Sequence, residues 1–263
     1  MFLKKILEEK RPILEKKKRL FPEKEMENRL SQLEKRPFLE VFSSRFPAEI
    51  KIIAEFKRAS PTAGTLNENT IFEEQIKAYE KGGADSLSIV TEEKYFKGDP
   101  SLLRLAKKLT HLPVLRKDFL VDPYEIVESK YYGADCVLLI AEALTNADLK
   151  NFLKICGSYE VDVLLEVHTK DALTEVLNLF EGNFLLGINS RNLSSLSVDL
   201  DNALNLLKRV PSSIPVIMES GIKKREDIER FVEYGVSGFL VGTLLMRSND
   251  PEGEIRRLKY GES

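Results

Sequence analysis

The spacing of apolar and polar positions along this chain changes at about residue 50. Beyond it, short apolar runs alternate with longer segments in which apolar residues recur at helical spacing. The runs predict eight strands, at residues 50–56, 85–90, 112–117, 135–140, 161–167, 183–189, 214–220 and 238–242. Strands that are apolar along their length are typical of parallel sheets covered on both faces. Eight strand–helix units predict an α/β fold, a (β/α)8 TIM barrel, as a single domain over residues 1–263.

An open, doubly wound sheet is the alternative architecture. That fold normally carries a glycine-rich dinucleotide-binding fingerprint after its first strand. Here the first predicted strand is followed by KRASPTAG, which lacks the pattern. Several helical segments end in glycine before a strand, at Gly82-Gly83, Gly133 and Gly235, as expected for repeated βα units. The barrel is therefore favoured.

Residues 1–45 form a different region, rich in Lys and Glu. Their apolar residues fall at roughly helical spacing, which predicts amphipathic helices over about 2–18 and 23–34. Pro22 separates the two, because proline is well tolerated where a helix begins. We expect an N-terminal helical extension that covers the mouth of the barrel or binds a neighbouring chain.

Charge and cysteine content exclude several classes of protein. Lys and Arg number 40 and Asp and Glu 42, for a net charge of −2, so binding to nucleic acid through a basic surface is not expected. The chain has no apolar run long enough for a transmembrane helix, and its N-terminus lacks the apolar core of a secretory signal. Two cysteines favour a reducing compartment. We expect a cytoplasmic monomer or weak homo-oligomer without a membrane partner.

The strands carry polar side chains toward their carboxyl ends. Alternate residues of a barrel strand point inward, and active sites lie at the carboxyl-terminal ends of the strands. Five strands each place an apolar or small residue before polar or loop residues of the same parity: Ile53, Glu55 and Lys57; Leu115, Lys117 and Phe119; Leu164, Glu166 and His168; Gly187, Asn189 and Arg191; Ile217, Glu219 and Gly221. Charges inside a barrel are costly unless they are paired or used. The pattern predicts acid–base chemistry on an anionic substrate.

The last two strands are followed by loops suited to phosphate, ESGI (219–222) and VGTLLM (241–246). Barrels often bind phosphate with these two loops. Gly221 and Gly242 would allow backbone N–H groups to approach an anion closely, and Ser60, Ser220 and Thr243 would add hydroxyl donors.

Metal and nucleophile motifs are missing from the sequence. His111 and His168 are the only histidines, and no HxH, HExxH or GxSxG pattern occurs. We expect His111 to be structural and His168 to pack beside Glu166. Cys136 and Cys156 are expected to be core thiols. The sequence thus gives little support to a metal-dependent or nucleophilic mechanism.

The motifs IIAEFKRASPTAG, TEEKYFKGD, LRKDF, GADCVLLI, LLEVH, GINSRNL, ESGI and LVGTLLM follow one another between about residues 50 and 247. In this order the set resembles the indole-3-glycerol-phosphate synthase family, as does the charged N-terminal extension. The resemblance implies a small-molecule substrate, 1-(2-carboxyphenylamino)-1-deoxyribulose 5-phosphate, an anionic sugar phosphate with an aromatic carboxylate. The family closes its indole ring with loss of CO2 and water, in tryptophan biosynthesis, without a cofactor.

The resemblance also implies roles for individual residues. Lys117 would be the general acid of ring closure, Glu166 the acid–base partner in dehydration, and Lys57 the group that holds the substrate carboxylate. Glu55, Glu219 and Asn189 would complete the catalytic set by positioning these groups and the sugar hydroxyls. The residues expected to contact substrate are Ser60, Phe96, Phe119, Leu138, Arg191, Leu193, Ser220, Gly221, Gly242 and Thr243.

The sequence departs from the family pattern in two places. Ala63 stands in SPTAG where a lysine is common, and Thr243 stands where serine is usual. Two alternatives stay open at this point: another sugar-phosphate barrel, such as an isomerase or a Schiff-base aldolase, and a phosphometabolite-binding protein without catalysis.

Overall fold

The structure, a computed structural model, describes residues 2–30, 34–62, 64–67, 70–179, 181, 184–192 and 195–261. Eight parallel strands close into a barrel in which each strand pairs with its neighbours along the chain and the last pairs with the first. The strands are β1 (Ile52–Phe56), β2 (Ser86–Val90), β3 (Val114–Lys117), β4 (Cys136–Ile140), β5 (Asp162–Val167), β6 (Leu185–Asn189), β7 (Val216–Glu219) and β8 (Gly238–Val241). The predicted TIM barrel is confirmed, and each predicted apolar run contains one strand.

Helices surround the barrel and precede it. The helices are α1 (Phe2–Leu20), α2 (Glu23–Glu27), α3 (Phe38–Val41), α4 (Phe72–Lys81), α5 (Glu93–Phe96), α6 (Ser101–Leu109), α7 (Tyr124–Tyr132), α8 (Asn146–Ser158), α9 (Lys170–Leu177), α10 (Leu200–Leu207), α11 (Arg225–Val232), α12 (Thr243–Arg247) and α13 (Pro251–Tyr260). A short hairpin, Ala59–Ser60 with Gly64–Thr65, follows β1. Among the described residues, no helix is long and apolar enough to cross a membrane.

The helix ends follow local chemistry. Gly133 and Gly235 adopt φ of 91° and 76° after α7 and α11, the left-handed conformation that the glycine pattern predicted. Thr145 and Asp148 form a capping box at the start of α8. The helix predicted over 23–34 is shorter than expected, because α2 ends at Glu27 and residues 31–33 lie outside the described part of the chain.

Inward and outward strand positions build separate cores. Ile53, Leu115, Leu164 and Ile217 belong to one buried cluster inside the barrel, as their parity predicted. The alternate strand residues face the helices in a larger outer cluster. Cys136 lies in the inner cluster and Cys156 in the outer one, and both are buried free thiols, as expected.

Part of the N-terminal extension closes the amino-terminal end of the barrel. Phe38 and Phe42 are fully buried and belong to the inner cluster. A side chain at Gly238 could not be accommodated, since its Cβ would lie 2.8 Å from the Phe42 ring. Carboxylates at the strand starts hold this segment, because Asp135 accepts a hydrogen bond from the backbone N–H of Arg36 and Asp162 one from that of Leu39.

The helix α1 packs along the barrel through a buried ionic cluster. The Nζ atom of Lys10 lies 2.7 Å from Asp118 Oδ1, from Glu125 Oε1 and from the backbone oxygen of Phe119. Arg116, which is 1% exposed, pairs with Asp118 at 3.1 Å. Lys10 thereby joins the extension to the segment that directly follows Lys117 on β3.

We expect Lys10→Met to lower the free energy of unfolding by about 3 kcal/mol, the lower range for removing one partner of a buried ion pair. Methionine retains much of the side-chain volume but leaves Asp118 and Glu125 without this cation. Urea unfolding followed by circular dichroism measures the change. Lys4→Met is the control, because Lys4 is exposed and its pair with Glu8 spans 3.9 Å. Equal stability of the two variants would contradict the role of Lys10.

Candidate active site

A cavity of about 440 Å³ lies at the carboxyl-terminal ends of the strands, and we call it the mouth cavity. Its walls combine carboxylates, ammonium groups, aromatic rings and loop backbone from all around the barrel. Most of the residues selected from the sequence line it: Glu55, Lys57, Ser60, Phe96, Lys117, Phe119, Leu138, Glu166, Asn189, Arg191, Ser220, Gly221, Gly242 and Thr243. Leu193 and Ala63 lie outside the described residues.

Four charged side chains form one layer across the floor of the mouth cavity. Glu55, Lys117, Glu166 and Glu219 come from the odd-numbered strands, each two residues after a member of the apolar layer Ile53, Leu115, Leu164 and Ile217. Alternate strands of such a barrel contribute side chains to the same layer. A two-residue step along each strand therefore changes the barrel interior from an apolar core to a charged floor.

Lys117 is the centre of this layer. Its Nζ lies 3.1 Å from Glu166 Oε2 and 2.8 Å from Glu219 Oε2, and its side chain is 18% exposed. Glu166 lines the mouth cavity, whereas Glu219 is 1% exposed and lies behind Lys117 without lining it. The sequence predicted Glu219 at the mouth with the other charged residues. In the structure its carboxylate does not reach the cavity and instead contacts Lys117, which does.

The buried layer shifts the pKa values of its members in different directions. Burial opposes the charge on Lys117, but the carboxylates of Glu166 and Glu219 outweigh it and raise the pKa of the ammonium. Burial likewise acts against ionised Glu166, yet Lys117 and His168 lower its pKa overall. Burial raises the pKa of Glu219 despite Lys117, and the negative charge of Glu166 raises it further. The pair thus keeps Glu166 ionised and favours a proton on Glu219.

Two glycines make room for the buried glutamates. The Glu55 carboxylate fills the space where a Cβ on Gly242 would lie, with Glu55 Cδ only 2.9 Å from that position. The Glu219 Oε1 atom is 2.5 Å from the corresponding position on Gly187. Glu55 Oε1 accepts a hydrogen bond of 2.6 Å from Lys57 Nζ, which orients that ammonium at the cavity wall. Gly242 therefore shapes the catalytic floor as well as the loop in which it lies.

The loops after β7 and β8 meet at one end of the mouth cavity. Ser220 and Gly221 have φ of 66° and 85°, so a sharp left-handed turn exposes backbone at this edge. Ser190 fixes the turn by donating to the backbone oxygen of Ser220 at 2.9 Å. Lys223 and Arg247 also line this end of the cavity, and sequence reasoning missed both. The sequence did contain a signal for them, because Lys223 directly follows the predicted phosphate loop 219–222 and Arg247 directly follows the loop 241–246.

The opposite side of the cavity is apolar. The Phe96 and Phe119 rings lie 6.1 Å apart between centroids at 44°. Phe2, Leu138 and Ile140 also contribute to the cavity lining, so the start of α1 reaches the mouth.

A carboxylate missed by sequence reasoning orients one of these rings. The Glu92 side chain accepts hydrogen bonds from the backbone N–H groups of Lys94, Tyr95 and Phe96, at 3.1, 2.7 and 3.0 Å. It thereby caps α5 and fixes Phe96 at the cavity wall.

The loop after β6 contributes amide and guanidinium groups. Asn189 Oδ1 accepts a hydrogen bond of 2.9 Å from the backbone N–H of Arg191, and Arg191 Nη1 donates to the backbone oxygen of Leu196 at 2.8 Å. Leu196 and Val198 line the cavity here and were not selected from the sequence. These apolar residues lie in a loop, where the spacing of apolar positions follows neither helical nor strand periodicity, so the sequence does not predict that they line the site.

His168 lies behind Glu166 and does not line the cavity. His111 is exposed at the start of β3, away from the site. Within the described ranges, no three His, Cys, Asp or Glu side chains are grouped so as to hold a metal ion.

A family model and two curated relatives that match this chain share one family description. A family model described as indole-3-glycerol phosphate synthase matches residues 3–258. An indole-3-glycerol phosphate synthase from Koribacter versatilis is 39% identical over 256 residues, covering 97% of this chain and 98% of the relative. One from Petrotoga mobilis is 42% identical over 219 residues, covering 81% and 84%.

Solved structures with a similar fold are more distant in sequence. A 3-hexulose-6-phosphate synthase from Salmonella typhimurium superposes with a TM-score of 0.62 at 16% identity, covering 80% of this chain and 96% of that one. A thiamine phosphate pyrophosphorylase from Pyrococcus furiosus gives 0.58 at 17% identity, covering 80% and 93%. At such identities the likeness concerns the barrel fold alone.

We expect Gly242→Ala to lower kcat/KM by about 10²-fold, the effect of displacing a site group by about 1 Å. The added methyl group would push the Glu55 carboxylate away and leave Lys57 without its partner. Steady-state kinetics measures the loss, and circular dichroism checks the fold.

Gly157→Ala is the matched control for this substitution. Gly157 lies in α8 with nothing within 4 Å of the added methyl group. Alanine there should leave kcat/KM unchanged and stabilise the protein by about 0.5–1 kcal/mol. Normal kinetics in Gly242→Ala would mean that Glu55 does not need this space.

Proposed function

The chain belongs to the indole-3-glycerol phosphate synthase family, and on that premise we propose that its mouth cavity binds 1-(2-carboxyphenylamino)-1-deoxyribulose 5-phosphate. The protein is a carboxy-lyase of tryptophan biosynthesis, which forms indole-3-glycerol phosphate with loss of CO2 and water. The observation that carries the residue assignment is the buried Lys117 ammonium, held by two glutamates on the floor of the cavity.

Lys117 is the general acid of ring closure in this proposal. The aromatic carbon that bears the carboxylate attacks the ketone carbon of the sugar, and the carbonyl oxygen takes the proton of the ammonium. Glu166 and Glu219 fix the direction of the Nζ–H bonds, so the proton donor is positioned before the substrate arrives. Departure of CO2 then restores the aromatic electron system.

Glu166 acts in the dehydration that follows. The hydroxyl group made from the ketone oxygen must leave, and the neighbouring carbon must lose a proton. Glu166 is ionised and lines the cavity, so it can accept that proton. The proton for the departing hydroxide comes from the Lys57 ammonium, or from Lys117 once it has regained from solvent the proton that it gave up in ring closure.

The two ends of the cavity suit the two ends of the substrate. Lys57 is oriented by Glu55 and would hold the carboxylate until it leaves as CO2. Phe96 and Phe119 would pack on the aromatic ring and exclude water.

Five residues, with two added cations, would surround the phosphate. Gly221 and Gly242 line the cavity and would offer backbone N–H groups, and Ser60, Ser220 and Thr243, which also line it, would offer hydroxyls. Lys223 and Arg247 add positive charge there, which supports binding of a phosphate even though the family's lysine is replaced by Ala63. Asn189 and Arg191 would orient the sugar hydroxyls between the two ends.

The alternatives differ in the state of the lysines. A Schiff-base aldolase needs a neutral amine as nucleophile, whereas Glu166 and Glu219 favour the ammonium form of Lys117. Borohydride added with substrate would trap an imine in an aldolase, and we expect none. The two free, buried cysteines fit the cytoplasmic location that we propose, for a protein that is a monomer or a weak homo-oligomer in this proposal.

We expect Lys117→Ala to lower kcat by at least about 10²-fold, the lower range for loss of a general acid. The alanine side chain cannot protonate the ketone oxygen. Formation of the fluorescent indole product is easily followed, since the protein has no tryptophan.

Lys108→Ala is the control, because Lys108 is exposed near the end of α6 and does not line the mouth cavity. It should keep normal turnover. Near-normal turnover of Lys117→Ala would instead remove Lys117 from its proposed role.

The acid side of the pH profile tests Glu166. A carboxylate base is active above its pKa and loses activity as the pH falls through it. Because the pKa of Glu166 is lowered, kcat at pH 5 should stay within about twofold of its value at pH 7. Initial rates at saturating substrate, with the fold checked at each pH, measure this. A half-maximal kcat at pH 6 or above would contradict the assignment.

A further inference from the structure

His168 is a buried side chain that the proposed mechanism does not use. It is 8% exposed and lies directly beyond the end of β5. One ring nitrogen, Nε2, is 3.1 Å from Glu166 Oε1, and the other, Nδ1, is 3.2 Å from Glu142 Oε2. The imidazole thus lies between two carboxylates, one from the catalytic floor and one from the rim of the barrel.

Glu142 reaches this position because of the barrel register. It lies in the short helical turn Ala141–Ala143 after β4, and Ile140 of β4 pairs with Glu166 of β5. Glu142 Oε1 accepts hydrogen bonds from the backbone N–H groups of His168 and Thr169, at 2.8 and 3.1 Å. Its side chain, 21% exposed, therefore fixes both the backbone and the ring of His168.

The charge of this arrangement favours the imidazolium form. Burial opposes it, but Glu166 and Glu142 outweigh burial and raise the pKa of His168 to about 10. Among the described residues, these are the two charged groups within ion-pair distance of His168. Lys117 and Glu219 contact Glu166 and form no ion pair with His168 in the described part of the chain.

A second cation matters because Lys117 alone serves two carboxylates. Like charges buried together cannot both stay ionised without compensation, so one of Glu166 and Glu219 takes up a proton. Lys117 contacts both and distinguishes little between them. Of these two carboxylates, His168 contacts only Glu166, so its positive charge favours the ionised form of Glu166 over that of Glu219.

We propose that His168, held by Glu142, is a positioning residue that makes Glu166 the ionised member of the Glu166–Glu219 pair. This inference rests on the proposed role of Glu166 as the base of dehydration. It adds that the proton of the pair belongs on Glu219, out of the cavity, while the carboxylate that faces the substrate stays free to accept one.

The kinetic test compares His168→Gln with the unchanged protein over pH 5 to 9. Glutamine keeps an N–H donor but carries no charge, so the acid limb of kcat should move up by about 1–3 pH units. At pH 5, where the unchanged protein keeps at least about half of its kcat, the kcat of His168→Gln should fall by at least about twofold further, with KM nearly unchanged, because His168 does not line the cavity. At pH 9 kcat should return toward its normal value. A loss of kcat by the same factor at pH 5 and pH 9 would indicate a structural role and overturn the proposal.

Glu142→Gln tests the outer partner. Glutamine at this position still offers an oxygen to the two backbone N–H groups but removes the charge beside His168. We expect its acid limb to lie between those of the unchanged protein and His168→Gln. An unchanged profile would overturn the part assigned to Glu142.

Nitrogen-15 spectra of the imidazole rings give a readout that does not depend on activity. The chain has only two histidines, so His111→Gln leaves the His168 signals alone and, being exposed and distant, should keep normal kinetics. His168 should be doubly protonated at pH 8, and Glu142→Gln should lower its midpoint by at least about one unit. A neutral His168 at pH 8 would overturn the proposal.

Glu166→Gln separates this inference from the proposed function. Normal turnover of that variant would remove Glu166 from catalysis and with it the basis of the inference. A large loss in Glu166→Gln, together with an unshifted profile in His168→Gln, would leave the proposed function standing and overturn the inference about His168 alone.

Discussion

The ion pairs of Lys117 with Glu166 and Glu219 are the interaction on which the site depends. An ammonium group so largely removed from water would lose its charge without a close anion, and Glu166 would take up a proton without a close cation. The barrel solves both problems by placing the three groups in one layer, on strands β3, β5 and β7. An ammonium and a carboxylate are then held side by side in defined protonation states before any substrate binds.

This layer needs empty space beside it, and glycines supply that space. Gly242 and Gly187 lie against the carboxylates of Glu55 and Glu219, where any larger side chain would collide. A loop glycine such as Gly242 is easily assigned to anion binding alone. In this protein it also determines where Glu55 and its partner Lys57 lie, so the phosphate end and the catalytic floor are shaped by the same residue.

The N-terminal extension supports both ends of the barrel. Phe38 and Phe42 close the amino-terminal end, while Lys10 binds the carboxylates and backbone next to Lys117, and Phe2 reaches the mouth cavity. The extension therefore links barrel stability to the position of the segment that carries the central ammonium. This explains why an amphipathic region without catalytic groups accompanies the barrel.

The sequence alone determined the fold and most of the lining of the site. Strand periodicity gave the barrel, because buried parallel strands are apolar throughout, and parity placed Glu55, Lys117 and Glu166 inward, because side chains alternate along a strand. The sequence could not determine that Glu219 lies behind Lys117. Nor could it determine that Glu92 orients Phe96 or that Glu142 faces His168. Those relations join residues on different strands and loops, whose distances depend on barrel register and loop conformation. Only the closed tertiary structure decides which charges meet, and therefore which carboxylate is free to accept a proton.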